Sequence, residues 1–108
     1  MIAKTHRIKR EKIPYILKKG ESYKTKLFIV RKMNNEEDFC RFSVIISRKI
    51  SNKAVTRNKI KRRIYEAVRL KLKKFTPSKG SDIVLIPKKA ILDADYSAIA
   101  EDINNIIK

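Results

Sequence analysis

A chain of 108 residues has room for one small core, and 28 Lys and Arg against 11 Asp and Glu give it a formal net charge of +17, which points to a polyanionic partner. Its single cysteine excludes an internal disulfide. No apolar run approaches the roughly 18 residues of a membrane span and the opening MIAKTHRIKREK has no apolar signal region, so the expected setting is cytoplasmic with no membrane partner.

The charge is unevenly distributed: residues 1–81 carry 25 basic and 6 acidic groups, residues 82–108 only 3 and 5. A binding surface therefore belongs to the first three quarters of the chain. Nucleic acid suits it better than a lipid surface, because phosphates release counterions as Lys and Arg approach, whereas an interfacial helix wants exposed Trp, Phe or Leu. Trp is absent, and the four Phe stand in strand-like or core-like contexts.

In chain order, residues 1–10 read as a basic arm that joins the domain around Ile8, and the whole of 1–108 as a single domain. Ile13, Ile16 and Leu17 recur at helical spacing, with Pro14 in the first turn and Gly20 as the stop. Lys26–Met33 and Arg41–Arg48 are β-branched and aromatic, and Asn34–Asp38 between them is a polar turn, so an antiparallel hairpin is expected. An additional strand fits near Glu21–Thr25. From Val55 to Phe75 the apolar period changes to 3.6, with Ile60, Ile64, Ala67, Val68, Leu72 and Phe75 along one side of a long helix that TPSKGS, residues 76–81, brings to an end. Asp82–Pro87 has the unbroken apolar character of a strand buried on both faces. A last helix from about Asp95 would bury Ile99, Ile103, Ile106 and Ile107. The expected fold is a single-domain α+β two-layer sandwich, α-β-β-(β)-α-β-α.

The chemistry concentrates at the start of the long helix. Between Arg48 and Arg63 there are eight Lys or Arg and no acid, an arrangement that destabilises a free helix by a few tenths of a kcal/mol per close pair. On the helical wheel Asn58, Arg62, Tyr65 and Arg69 lie roughly 90 to 140 degrees from the apolar stripe, with Arg57 and Lys61 at the margin. Arg offers bidentate phosphate contact and stacking, Lys a point charge, and Asn a partner for a base edge or a 2′-OH. Tyr65 is equally well read as packing at the helix edge.

The stretch Ser47–Arg63, SRKISNKAVTRNKIKRR, resembles the RNR motif of the bacterial ribonuclease P protein family, with Ala54, Val55, Arg57, Asn58, Lys61 and Arg62 at the motif positions. The basic Arg7 and Lys9, the short helix ending at Gly20, and the strand leading into Ser47-Arg48-Lys49 extend the resemblance over most of the chain. It implies a protein subunit that binds a large catalytic RNA and promotes metal-dependent removal of the 5′ leader from precursor tRNA, with Mg2+ held mainly by the RNA and the free protein a monomer. It also implies a fold like the second domain of ribosomal protein S5, with a left-handed βαβ crossover against the usual right-handed preference.

Under that resemblance Arg48, Lys49, Arg57, Asn58, Lys59, Lys61, Arg62, Tyr65 and Arg69 face the catalytic RNA. A cleft between the first helix and the sheet, lined by Ile13, Leu17, Phe28 and Arg31, would receive the leader. Aliphatic residues stand at Ile13 and Leu17 where the family commonly has Phe, and Arg31 stands at the position of a strand aromatic. Arg31 can share a face with Phe28 only across a twist or bulge. Tyr15 and Tyr23 are further stacking candidates.

No protein catalytic centre is expected. His6, the only histidine, reads as a solvated or RNA-facing residue of the arm, and Cys40 as a small semi-buried side chain with no second His or Cys to form a dyad. Glu36, Glu37 and Asp38 read as a hairpin turn in preference to a divalent-ion site. The alternative to a ribonuclease P subunit is a non-catalytic ribosomal or ribosome-assembly protein; a DNA-binding role is disfavoured by the lack of helix-turn-helix spacing.

Overall fold

A strand whose side chains are apolar on both faces must lie inside a sheet, and this requirement on residues 81–87 organises the fold. In the computed structural model, which describes residues 6–75 and 80–107, helix α1 (Ile13–Lys19) is followed by strands β1 (Glu21–Lys24), β2 (Phe28–Asn34) and β3 (Arg41–Val44), helix α2 (Ala54–Lys74), strand β4 (Ser81–Pro87) and helix α3 (Tyr96–Ile106). The four strands form one mixed sheet in the order β1-β2-β4-β3. β4 pairs antiparallel with β2 and parallel with β3, so α2 is the crossover between two adjacent parallel strands.

The expected hairpin between the second and third strands is therefore not formed. β2 and β3 do run in opposite directions, but β4 lies between them. The Asn35–Cys40 connection spans two strand spacings, about 10 Å, and gives the central position to the strand with the most apolar surface to bury. The tight hairpin joins β1 to β2 instead, with Glu21 opposite Lys32 and Lys24 opposite Ile29. β1 is exposed throughout, and its charged Glu21 and Lys24 suit a sheet edge.

Strand parity sorts the core into two clusters. Phe28 and Val30 of β2, Phe42 and Val44 of β3, and Ile83 and Leu85 of β4 pack against Ile60, Ile64, Ala67 and Val68 of α2 and Ile99, Ile103 and Ile106 of α3. The opposite face presents Val84, Met33, Ile45 and Ile86 to Ile8 and to Ile13, Ile16 and Leu17 of α1. Helices thus cover both faces, and α1 adds a short third layer to the expected two. Leu72 and Phe75 are partly buried against the larger cluster.

Among the α-helix N-termini, that of α3 carries a side-chain cap. Asp95 caps α3 by accepting the Ala98 N–H at 2.8 Å. Gly20 ends α1 at a φ of −70°, so a left-handed turn does not explain the glycine. A Cβ there would stand 2.6 Å from the Ile16 carbonyl oxygen and 3.1 Å from that of Lys32, so the glycine lets the chain enter β1 close against β2. The segment expected to end the long helix lies largely outside the described residues, as does the first half of the arm. The arm's second half docks: Arg7 bridges to Phe42, and the Ile8 N–H donates to the Phe42 carbonyl at 3.1 Å.

Candidate nucleic-acid interface

α2 is held by its apolar stripe and not by its termini. Its N-cap, Lys53, makes no side-chain cap, and its first turn has no acid to complement the positive end of the helix dipole. The loop before it is ordered by short polar contacts. Ser47 and Ser51 hydroxyls accept the N–H groups of Lys49 and Lys53 at 3.0 and 3.2 Å, Ile50 is buried, and the Arg57 guanidinium donates to the Ser51 carbonyl at 2.8 Å. Arg48 and Lys49 are exposed on this loop. Arg57 therefore ties the loop to the helix while remaining partly accessible.

Asn58, Lys59, Lys61 and Arg62 are exposed along the helix, and Arg63 and Arg69 half-buried. Arg69 is paired with Glu66, one turn before it; the hydrogen bond holds the Glu66 carboxyl below the usual carboxylate range and raises the Arg69 guanidinium. Compensation along α2 is thus present at Arg69, beyond the acid-free stretch that ends at Arg63. Tyr65 departs from the expected face altogether. It is 4% exposed, and its hydroxyl accepts the buried Val44 N–H at 3.2 Å, so it joins α2 to β3 and is not displayed with its neighbours. Burial raises its phenol above the ordinary range. On the wheel Tyr65 lies about 90 degrees from the centre of the stripe, close enough for the sheet to cover it.

The second expected site is reduced in the same way. Ile13 and Leu17 lie half-buried on the α1 face, and Arg31 of β2 projects to that side, opposite Val84 of β4. Phe28 does not: fully buried, it faces α2 and α3, because residues three apart on an unbulged strand point to opposite faces. Tyr23, opposite Val30, shares Phe28's side of the sheet. The exposed aromatic ring close to α1's groove is Tyr15, which lines a cavity of about 510 Å³ with Lys12, Met33, Asn34 and Arg41. Among the described residues the Arg31 Nε is a buried side-chain nitrogen without a hydrogen-bond partner.

The cavity that Tyr15 lines is bordered by a buried ion pair which the sequence did not reveal. Arg41 donates to both carboxylate oxygens of Asp82, at 2.7 and 3.0 Å, and the Asn35 amide donates to one of them at 3.0 Å. The Asn35 amide also donates to the Phe39 carbonyl, and its oxygen accepts the Glu37 N–H, so the loop that carries the chain across β4 is pinned to β4's first turn. His6, expected as a solvated or RNA-facing residue of the arm, is half-buried; its Nδ1 donates to the Cys40 carbonyl at 2.9 Å and its ring meets the Phe39 ring edge-on. Cys40 is buried, and desolvation pushes its thiol up, opposite to what a nucleophile needs.

Among the described residues no three His, Cys, Asp or Glu side chains come together as a metal-ligand set. Glu36, Glu37 and Asp38 are exposed on the loop, with Glu36 at a φ of 63°. Among the described residues these donors do not form a ligand set for a resident divalent ion. No helix among the described residues is long and apolar enough to cross a membrane.

A small α+β domain with an anchored helix whose exposed cations are mostly unneutralised belongs to the class of proteins shaped to meet a polyanion. The ribonuclease P family profile matches residues 2–108. The ribonuclease P protein component of Clostridioides difficile strain 630 is 35% identical over 94 residues, covering 86% of this chain and 80% of its own length. Among solved structures, the RNase P protein from Thermotoga maritima superposes with a TM-score of 0.83 at 33% identity and 94% coverage of both chains. That from Staphylococcus aureus gives 0.75 at 32% identity, covering 94% of this chain and 91% of that one. The chain belongs to the family of bacterial ribonuclease P protein components, and its function is that of a subunit of ribonuclease P, the RNA-containing holoenzyme that processes tRNA 5′ ends.

Proposed function

We propose that α2 and its preceding loop bind the catalytic RNA through Arg48, Lys49, Arg57, Asn58, Lys59, Lys61, Arg62 and Arg69, and that the α1 groove receives the 5′ leader of precursor tRNA. The observation that carries this reading is the anchored helix: its apolar stripe is committed to the core, and Lys59, Lys61, Arg62 and Arg63 have no acidic partner among the described residues. Fixed unpaired cations lower the repulsion between two RNAs and favour counterion release. Residues 1–108 act in this reading as one RNA-binding domain, monomeric without RNA and cytoplasmic, with Arg7 and Lys9 of the arm adding charge. Magnesium belongs to the RNA, where it supplies the metal-activated chemistry. The S5-like topology with a left-handed β3-α2-β4 crossover is carried over from the family resemblance.

In the groove, Ile13 and Leu17 supply an apolar wall and Arg31 the cation, while Tyr15, on another side of α1, offers a stacking ring in the neighbouring cavity. The Arg31 guanidinium, half-buried on this face, suits a backbone phosphate of the leader. Leader binding is accordingly less base-selective and more salt-sensitive than on an aromatic wall. The test is reconstitution: cleavage of precursor tRNA by a bacterial ribonuclease P RNA at low magnesium, with and without this protein. Stimulation by wild type, reduced in Arg62→Ala and, for long-leader substrates only, in Arg31→Ala, is expected. Absence of stimulation by the wild-type protein overturns the reading.

A further inference from the structure

Sequence periodicity singles out one face of α2, but folding brings a residue from the far end of the chain alongside it. Tyr96 is the first residue of α3, 36% exposed, and with Lys59, Arg62, Arg63 and Glu66 it lines a cavity of about 430 Å³ between the two helices. Its position is fixed from both sides. Asp95 before it caps the helix through the Ala98 N–H, and Ile99 and Ile103 after it are buried against α2.

The electrostatics of the cavity are one-sided. Among the described residues Glu66 is the one acid lining it, and it is committed to Arg69, whose hydrogen bond holds the carboxyl below the usual range. Lys59, Arg62 and Arg63 have no ion-pair partner among the described residues. An amphipathic phenol ring beside three uncommitted cations matches a single chemistry well: a nucleotide whose base lies on the ring while its flanking phosphates meet Lys and Arg. A duplex cannot supply that group, because its bases are stacked on one another, whereas an unpaired or bulged nucleotide can. The cavity is also within the size range of small-ligand sites.

We propose that Tyr96, with Lys59, Arg62 and Arg63, forms a stacking pocket for one unpaired nucleotide of the catalytic RNA. This would extend the RNA-facing surface from α2 across the groove to the start of α3. The proposal rests on α2 being the RNA-binding helix, and Arg62 belongs both to that helix's motif face and to the pocket.

The test uses the full chain and the catalytic RNA. Tyr96→Ala is expected to weaken binding by about 5- to 150-fold, the range for one lost base stack, and Tyr96→Phe by less than about 3-fold, with both melting like wild type. Since the chain has no tryptophan, Tyr96→Trp creates a unique reporter. Its fluorescence should be quenched by the catalytic RNA and not by a plain RNA duplex. Wild-type affinity in Tyr96→Ala, equal quenching by duplex, or quenching by precursor tRNA alone would each overturn the pocket. Lys61→Ala, outside the pocket, separates the two levels: if it weakens binding while Tyr96→Ala does not, the pocket fails and the α2 reading stands, and if neither does, both fail.

Discussion

Replacing Tyr65 by Phe separates packing from RNA contact at the residue where the helical wheel and the tertiary structure disagree. The ring stays, so the cavity term of a core substitution is absent, and what is removed is one acceptor for the Val44 N–H. With Tyr65 at 4% exposure no water replaces that acceptor, and an unsatisfied buried donor costs about 1 to 3 kcal/mol. Each kcal/mol lowers the melting temperature of a domain near this size by about 4 to 8 °C, so a fall of roughly 4 to 24 °C is expected. Affinity for the catalytic RNA, measured well below that melt, should be unchanged. The phenol also links stability to pH. Burial raises its folded-state pKa, so the protonated form is favoured by folding; the contribution is fully present below the ordinary tyrosine pKa near 10 and is lost as pH rises through the higher folded value. Urea denaturation from pH 8 to 11 should show stability falling with pH, less steeply in Tyr65→Phe. A tenfold loss of RNA affinity with an unchanged melt would refute the packing assignment.

Arg62→Ala should weaken binding of the catalytic RNA by about 1 to 3 kcal/mol and lower the dependence of log affinity on log salt by nearly one contact, measured by filter binding across a salt series, with Lys89→Ala as the comparison. Asp82→Ala leaves Arg41 buried beside a lost partner and should destabilise the fold by about 3 kcal/mol, read by urea denaturation. Gly80→Ala would bring a Cβ to between 2.3 and 2.5 Å of the Glu37 and Phe39 carbonyl oxygens and the Asn35 side-chain oxygen, so the loop must move; a loss of about 1 to 3 kcal/mol is expected, with wild-type stability ruling out this close approach.

Much of the chain was legible in sequence because its signals are local. The helix read from the 3.6-residue stripe, Val55 to Phe75, matches α2 to within one residue at each end, and Asp95 announces the cap of α3. The cationic identity of α2 likewise needs only the order of Arg57, Lys59, Lys61, Arg62 and Arg63. Strand pairing was not legible. The turn between β2 and β3 reads as a hairpin, and only competition for the sheet centre gives that place to β4, the strand with two apolar faces. The faces of Phe28 and Arg31, the burial of Tyr65, the Arg41–Asp82 pair and the approach of Tyr96 to Arg62 all follow from that arrangement. Each joins residues between 3 and 41 positions apart, and parity or distance along the chain does not say what covers a face. Local periodicity determines which side chains share an element's surface; only the packed sheet decides which of those surfaces remains open to a partner.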